Sequence, residues 1–494
     1  MATDFLHGVE VIQVDDGSRP VRTVRSAVIG LVGTAPDADP IAFPLNEPKL
    51  VTSRLQGDKL KAQVGPLKGT LYHAIQQIYD QASAVVVVVR VAEGAGANDQ
   101  EKLAATIANI IGGTVNGEYT GIQAFLGAKS KLDAQPKILI APQFTSFRPS
   151  GGVTNIAINT AGVGYTTPPT VTLSGGGGAG ATAVAFINDQ GIVTNVNVTN
   201  PGGSYETAPT VTFSGGGATT QATGTATVGD YANPVASAMQ GVAQKLRAVC
   251  PVGGPNTTDE AAHNYREDFG NKRIYIIDPG VKGFLGNLVN REVFDFDASA
   301  AVAGLIAKVD AEEGFWVSPS NHTLNGIVGT GRSVDFTLGD TTSRANLLNE
   351  NQIATIIRED GFRLWGNRTA STDPKWQFLS TVRTADMVDE SIMRAHLWAV
   401  DRCIGRAFLD AVVESVNDYM RLLRGRGAIL GGQCWWDPEL NPPSQVADGR
   451  SFFDYDFTVP PPAERITFRS HLVNDYIANI TPQATVIRGR VQTG

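Results

Sequence analysis

Twenty-four residues of this chain recur at an offset of 40. TNIAINTAGVGYTTPPTVTLSGGG begins at Thr154 and TNVNVTNPGGSYETAPTVTFSGGG begins at Thr194. Tyr165 answers Tyr205, and residues 171–173 answer residues 211–213. Alternating Val and Thr with Gly and Pro punctuation predicts short strands and turns, hence a small all-β module at the surface. Two copies do not make a propeller or a solenoid, because stacked repeats need about three units to bury a core. The Gly175–Gly178 run reads as flexible hairpin tips. The repeat therefore acts as an insertion, occupying residues 151–230 within another fold.

On both sides of it the pattern alternates strand and helix. Residues 27–33 (AVIGLVG) read as a buried strand, 72–81 as a helix, 84–91 as a strand, 103–111 as a helix and 137–141 as a strand. The pattern stops at Pro149 and resumes at Asn233, with a helix over 234–249 and a strand over 273–277. Such alternation predicts a largely parallel sheet with helices on its faces. Residues 27–150 and 231–385 would together make one discontinuous α/β domain.

Further on, LNENQIATIIREDGFRLWGNRT (residues 348–369) reads as a compact unit. Ile353, Ala354, Ile356 and Ile357 supply the apolar positions of a short helix that Gly361 would end. Phe362, Leu364 and Trp365 follow as a strand, with Gly366 and Asn367 as its turn. From Met393 to Leu423 apolar residues step by three or four, which predicts a long amphipathic helical region bent at Gly405. Strands are expected near 452–457 and 465–468. Residues 386–472 would then form an α+β C-terminal domain. The first 26 residues read as an arm whose Val9, Val11 and Val14 make a lone strand, with Gly17, Ser18 and Pro20 as a flexible break. Residues 473–494 end in ATVIRGRVQTG, a second lone strand pattern.

The string over 348–369 resembles the signature segment of bacteriophage contractile tail sheath proteins of the P2-like type. So do SPSNHTLNGIVGTGRSVDF (318–336), HLWAVDR (396–402), GAILGGQCWWDPELNPP (427–443), FFDYDF…PPAERITF (452–468) and GVEVIQVDDGSRPVRTVRSAVIGLVGTAP (8–36). The resemblance covers the chain apart from the central insertion. It implies a subtilisin-like α/β domain without a catalytic triad, and no cofactor. It also implies a helical homo-oligomer of many copies around an inner tail tube, with baseplate and tail terminator proteins as further partners. The virion tail would be the location, after assembly in the host cytoplasm. Contraction would drive the tube through the bacterial envelope for genome ejection. By the same resemblance, Val9, Val11, Val14, Val486, Ile487 and Val491 would pair as strands with a neighbour's C-terminal domain, because an unpaired strand is a template for another chain.

A formal net charge of −8 and a pI near 5.4 argue against bulk nucleic-acid binding. MATDFLHG carries no signal-peptide pattern, and the apolar run 84–89 is too short to span a bilayer, so no direct membrane insertion is expected. Cys250, Cys403 and Cys434 are widely spaced and read as buried free thiols in a reducing compartment. The histidines His7, His73, His263, His322, His396 and His471 lack the settings of a subtilase triad. GIVGTGRS (326–333) spaces its glycines like a phosphate-binding loop but has Arg332 where that motif needs Lys. Arg402, Arg406, Arg421, Arg424 and Arg426 concentrate positive charge along the C-terminal helical region, either as a solvated face or as a contact for an acidic tail tube. Two rival classes stay open at this point: a hydrolase on the α/β sheet, and a surface adhesin or decoration protein binding glycans or cell envelope through the Tyr165/Tyr205 repeats.

Overall fold

The computed structural model describes residues 21–61, 68–285 and 292–474. Apart from Thr34 and Arg90, Val28–Thr34 and Val85–Val91 are apolar without alternation and buried almost throughout, as expected of strands covered on both faces. They pair in parallel, Val28 opposite Val85 through Thr34 opposite Val91. Ile138–Ile140 joins on the other side of Val28–Thr34. The sheet continues across a parallel bridge between Ile138 and Val249, where Leu139 N donates to Val249 O at 2.8 Å and Val249 N to Lys137 O at 3.0 Å. Cys250–Gly253, Ile274–Ile277 and Ile353–Arg358 follow, all parallel. Short antiparallel strands, Lys49–Val51 and Phe362–Trp365, close the two edges.

Helices cover both faces. Leu71–Gln81 and Ser299–Glu312 pack on one side, where Leu71, Ile75, Ile78, Leu305 and Ile306 meet Ile29, Leu31, Val86 and Val88. Pro234–Leu246 and Asp259–Glu267 pack on the other, where Val235, Met239, Val242 and Tyr265 meet Val28, Val32, Val87 and Val89. The expected parallel sheet is present. One expected helix is not: Ile353–Arg358 is a strand whose Ile356 lies opposite Leu364 in a hairpin. The spacing of Ile353, Ala354, Ile356 and Ile357 fits a helix face, but all four are buried. A run buried on every side carries no periodicity, and β-branched content then decides for strand.

The insertion forms six antiparallel strands in the order Val193–Asn200, Thr182–Ile187, Thr170–Ser174, Thr210–Ser214, Thr223–Gly229, Gly152–Thr160. The two repeats interlock. The middle strands of both copies pair at the centre, Thr172 opposite Thr212. The first strand of each copy pairs with the last strand of the other copy or its sequence neighbour, Gly152–Thr160 with Thr223–Gly229 and Val193–Asn200 with Thr182–Ile187. Val153 N donates to Pro201 O at 2.8 Å and Val193 N to Ala161 O at 3.1 Å, which draws the two outer strands together into a nearly closed barrel. Mutual pairing explains how two units bury a core where stacked repeats would need more. Residues 151–230 contain Asp189, Glu206 and Asp230 but no lysine or arginine.

After the central sheet, Leu379–Ala395 contributes Leu379 and Val382 to the core around Ile29 and Leu31, and Met387 and Val388 to a separate C-terminal core. The expected continuous helical stripe from Met393 to Leu423 is broken. Leu379–Ala395 ends, residues 400–405 are non-helical, and Arg406–Gly425 starts afresh from Gly405 in extended conformation. Met393, Leu397 and Val400, read as part of the buried stripe, are 59%, 76% and 63% exposed. Gly431–Trp436 and Phe453–Thr458 form a two-stranded antiparallel sheet against Arg406–Gly425. The expected strand at 465–468 is not formed; residues 459–473 carry no regular structure. Cys250 and Cys434 are buried free thiols as read, whereas Cys403 is exposed. Among the described residues no helix is long and apolar enough to cross a membrane.

Candidate functional site

In an open α/β sheet, ligands sit outside the carboxyl ends of the strands. Here that rim is occupied by carboxylates of the chain itself. Asp297, fully enclosed, accepts from Gln143 N at 3.1 Å, Thr145 Oγ1 at 3.3 Å and Ser299 N at 2.7 Å. Burial pushes its pKa above the usual carboxylate range. Asp278 accepts from Asn256 N at 2.7 Å and from Arg332 Nε at 3.0 Å, and burial outweighs the arginine to raise its pKa as well. Arg332, the residue at the lysine position of the phosphate-loop-like string, also pairs with Asp259. Its guanidinium is thus engaged inside the protein, and the glycines of 326–333 build the strand Ile327–Thr330 and its exit.

Three of the described histidines are bound into packing or local contacts. His73 is buried against Tyr72 and Phe296, and desolvation lowers its pKa. His322 contacts Glu313 Oε1 at 2.8 Å beside a surface turn. His396 Nε2 contacts Ser415 Oγ at 2.7 Å, but that hydroxyl lies mid-helix and donates to Val412 O at 3.0 Å. Among the described residues no group of three or more His, Cys, Asp or Glu side chains is arranged to hold a metal ion.

The surface that does carry candidate residues is the C-terminal one. Arg406–Gly425 buries Val412, Val416, Tyr419, Met420 and Leu423 and exposes the opposite side. The five arginines do not merge into one patch. Arg402 and Arg406 stand at its start, and Arg421, Arg424 and Arg426 at its end, about 22 Å further along at 1.5 Å per residue. Asp410, Glu414 and Asp418 lie between them. Arg406 faces Asp410 at 3.9 Å and Arg421 pairs with Asp418. Arg402, Arg424 and Arg426 make no ion pair among the described residues. Sequence reading registered the sum of charge but not its division into two ends separated by a block of acids.

The two-stranded sheet was the feature least visible in sequence. Phe453, Tyr455 and Phe457 turn inward against the C-terminal core while Asp454 and Asp456 alternate with them. Among the described residues the sheet has two strands, so each has an outer edge. Residues 21–26 run into the same core. Val21 is buried there, Thr23 Oγ1 meets Tyr419 OH at 3.2 Å, and Val24 N donates to Ser391 Oγ at 3.1 Å. The arm residues Val9, Val11, Val14, Val486, Ile487 and Val491 lie outside the described residues.

Tyr165 and Tyr205, the residues that motivated an adhesin reading, are 4% and 5% exposed inside the barrel. Tyr165 OH accepts from Ala222 N at 2.7 Å and donates to Gln221 Oε1 at 3.0 Å. Both are structural residues and present no platform to a glycan.

Comparison with known proteins agrees with this picture. The family model for the phage tail sheath protein central domain matches residues 223–370, and that for the phage tail sheath C-terminal domain matches residues 371–472. A prophage major tail sheath protein of Pseudomonas aeruginosa (strain UCBPP-PA14) is 36% identical over 96% of this chain and 98% of its own length. The tail sheath protein of Escherichia phage P2 is 32% identical over 97% and 98%. Among solved structures, the sheath of an extracellular contractile injection system in its contracted state shares the fold with a TM-score of 0.56. It is 13% identical and covers 96% of this chain and 99% of its own. The contracted helical sheath of the anti-feeding prophage gives 0.56 at 14% identity, covering 95% and 99%. The chain belongs to the phage tail sheath protein family and is a structural subunit of a contractile tail.

Proposed function

We propose that the subunit polymerises through its two terminal arms into a helical tube around an inner tail tube, and that contraction of this tube drives the inner one through the bacterial envelope. The observation that carries the reading is the two-stranded sheet of the C-terminal region, whose edges are suited to strands from elsewhere. Val9, Val11 and Val14 of one neighbour, and Val486, Ile487 and Val491 of another, would extend it. Head-to-tail contacts of this kind do not close, so they generate a filament. Main-chain ladders at the junction survive while globular regions re-pack, which allows contraction without dissociation. The work comes from the difference between two packings, with no nucleotide consumed.

The α/β region would be a subtilisin-like fold serving as scaffold, without catalysis, bounded as 27–150 and 231–385. The C-terminal domain (386–472) would face the tube, with Arg402 and Arg406 at one end of the long helix and Arg421, Arg424 and Arg426 at the other as contacts for an acidic tube surface. The barrel (151–230) would lie on the outside. Baseplate and tail terminator proteins would cap the tube, and assembly would take place in the host cytoplasm. The test is deletion of residues 1–16 followed by negative-stain electron microscopy. Folded, soluble subunits that form no striated tubes are expected, and normal tubes would overturn the arm reading.

A further inference from the structure

Two exposed apolar patches lie at opposite rims of the parallel sheet. The first follows Ile274–Ile277 at the carboxyl rim, where Val281–Leu285 and Glu292–Phe296 form a hairpin with Ile327–Thr330 as a third strand. At the base of the hairpin Val281 lies opposite Phe296, and both are buried in the core. Further out the strands keep apolar residues but leave that core. Phe284 and Val293, opposite each other, are 48% and 54% exposed, and Phe294 and Val328 are exposed beside them. The second patch is Met393, Leu397 and Val400. It lies at the amino rim, because Glu390, Asp386 and Arg394 of the same helix reach Lys137, Arg273 and Gln135, which just precede strands of the sheet. The charges beside the two patches are opposite in sign. Asp295 stands on the hairpin, 3.9 Å from Lys282, and Asp335 lies exposed in the segment after Ile327–Thr330. At the amino rim, Arg394 Nη2 donates to Gln135 Oε1 at 2.9 Å, and Gln135 Nε2 donates to Leu246 O at 3.2 Å. Lys129 and Lys245, close in sequence to Gln135 and Leu246, are exposed and make no ion pair among the described residues. Beside Val400, Asp401 and Arg402 offset each other.

We propose that the hairpin face of one subunit docks on the Met393–Val400 patch of a second copy, carboxyl rim to amino rim. Contiguous apolar side chains left in solvent mark a contact surface. Two such patches at opposite ends of one subunit give a head-to-tail contact that repeats without closing, as a helical sheath requires. The apolar centres supply affinity, and the flanking acids and bases direct the encounter. A contact between like rims would set acid against acid or base against base, which disfavours a closed pair. The contact goes beyond the arm reading, since it needs a tube and not the arms, and it leaves Arg402 and Arg406 to the inner tube.

Hydroxyl-radical footprinting of the full-length subunit, before and after polymerisation, reads both patches without any substitution. Oxidation of Phe284, Phe294 and Met393 is expected to fall several-fold in the tube. Undiminished oxidation at either patch would overturn the proposal. Which surfaces face each other is read in a Cys403→Ser background carrying Val293→Cys and Leu397→Cys, with a short bis-maleimide added to the tubes. A ladder of crosslinked dimers, trimers and longer chains is expected, because each copy carries both partners. Tubes that give no crosslink, or dimers alone, would overturn the pairing. Val293→Ser and Leu397→Ser, each in the otherwise unchanged chain, should melt at the parent temperature and raise the concentration needed for polymerisation about tenfold. Parent-like polymerisation of both would overturn the proposal even if the cysteine variant forms no tubes. Subunits lacking residues 1–16 keep the two readings apart. If they still form tubes the arm reading fails, and the crosslink ladder in those tubes decides this one.

Discussion

Equivalent residues in the two barrel repeats do unequal work. Tyr165 OH lies 2.7 Å from a buried amide, Ala222 N, whereas Tyr205 OH stands 3.4 Å from Ala181 N. Leaving a buried donor unpartnered costs about 1–3 kcal/mol. Tyr165→Phe should therefore lower barrel stability by about that much and Tyr205→Phe by less, as measured by thermal unfolding of the two variants; equal losses would contradict the geometry. His73 sets a pH dependence. Its folded pKa is depressed below the ordinary 6.5 by desolvation, so the unfolded chain binds the proton more readily. The stability it allows is present above pH 6.5 and is lost as pH falls through the folded value. His73→Phe keeps a ring against Tyr72 and Phe296 but takes up no proton, so its melting temperature should fall less than that of the parent between pH 7 and 5. None of this was legible in sequence. Tyr165 and Tyr205 looked like a repeated surface motif because spacing records recurrence and not direction.

Elements were legible where burial is one-sided or where length decides. Val85–Val91 and Leu71–Gln81 could be placed from pattern alone. Ile353–Arg358 could not, since six residues buried nearly all round leave no face to detect. The stripe from Met393 to Leu423 misled for the opposite reason: Met393, Leu397 and Val400 keep helical spacing while standing in solvent. The helix Leu379–Ala395 shows what pattern cannot convey. Its polar residues turn inward: Glu390 pairs with Lys137, Asp386 with Arg273, and Arg383 with Asp310 at 2.5 Å, all nearly buried. The helix is fastened to the sheet domain by these charges as well as by the apolar contacts of Leu379 and Val382. Removing one partner of a buried pair costs about 3–5 kcal/mol, whereas replacing both by apolar residues is often neutral. Lys137→Met should accordingly lower the urea midpoint strongly, and adding Glu390→Met should restore most of it. If the double variant is as weak as the single, the pairs do more than fix geometry.

At the scale of the whole molecule the barrel is joined through neighbouring strands. Tyr231 N donates to Pro149 O at 3.1 Å, so the chain enters and leaves the insertion at one point. Arg148 holds both sides of that point, with Asp230 at 3.0 Å and Asp268 at 2.8 Å. Replacing residues 151–230 by two glycines should leave the remaining domains folded and competent to form tubes, with Arg148 retaining Asp268. Loss of polymerisation in that variant would place the barrel in the lattice instead of outside it.

The shortage of charge in the barrel has a practical consequence. Between Arg148 and Lys245 there is no lysine or arginine. Trypsin has no cleavage point there in the folded or the unfolded chain, and amine-reactive labels find no target. The insertion will travel through peptide mapping as one long, weakly ionising fragment. It will stay dark in any lysine-based crosslinking of assembled particles, so its neighbours must be mapped through its three carboxylates, Asp189, Glu206 and Asp230, or by imaging.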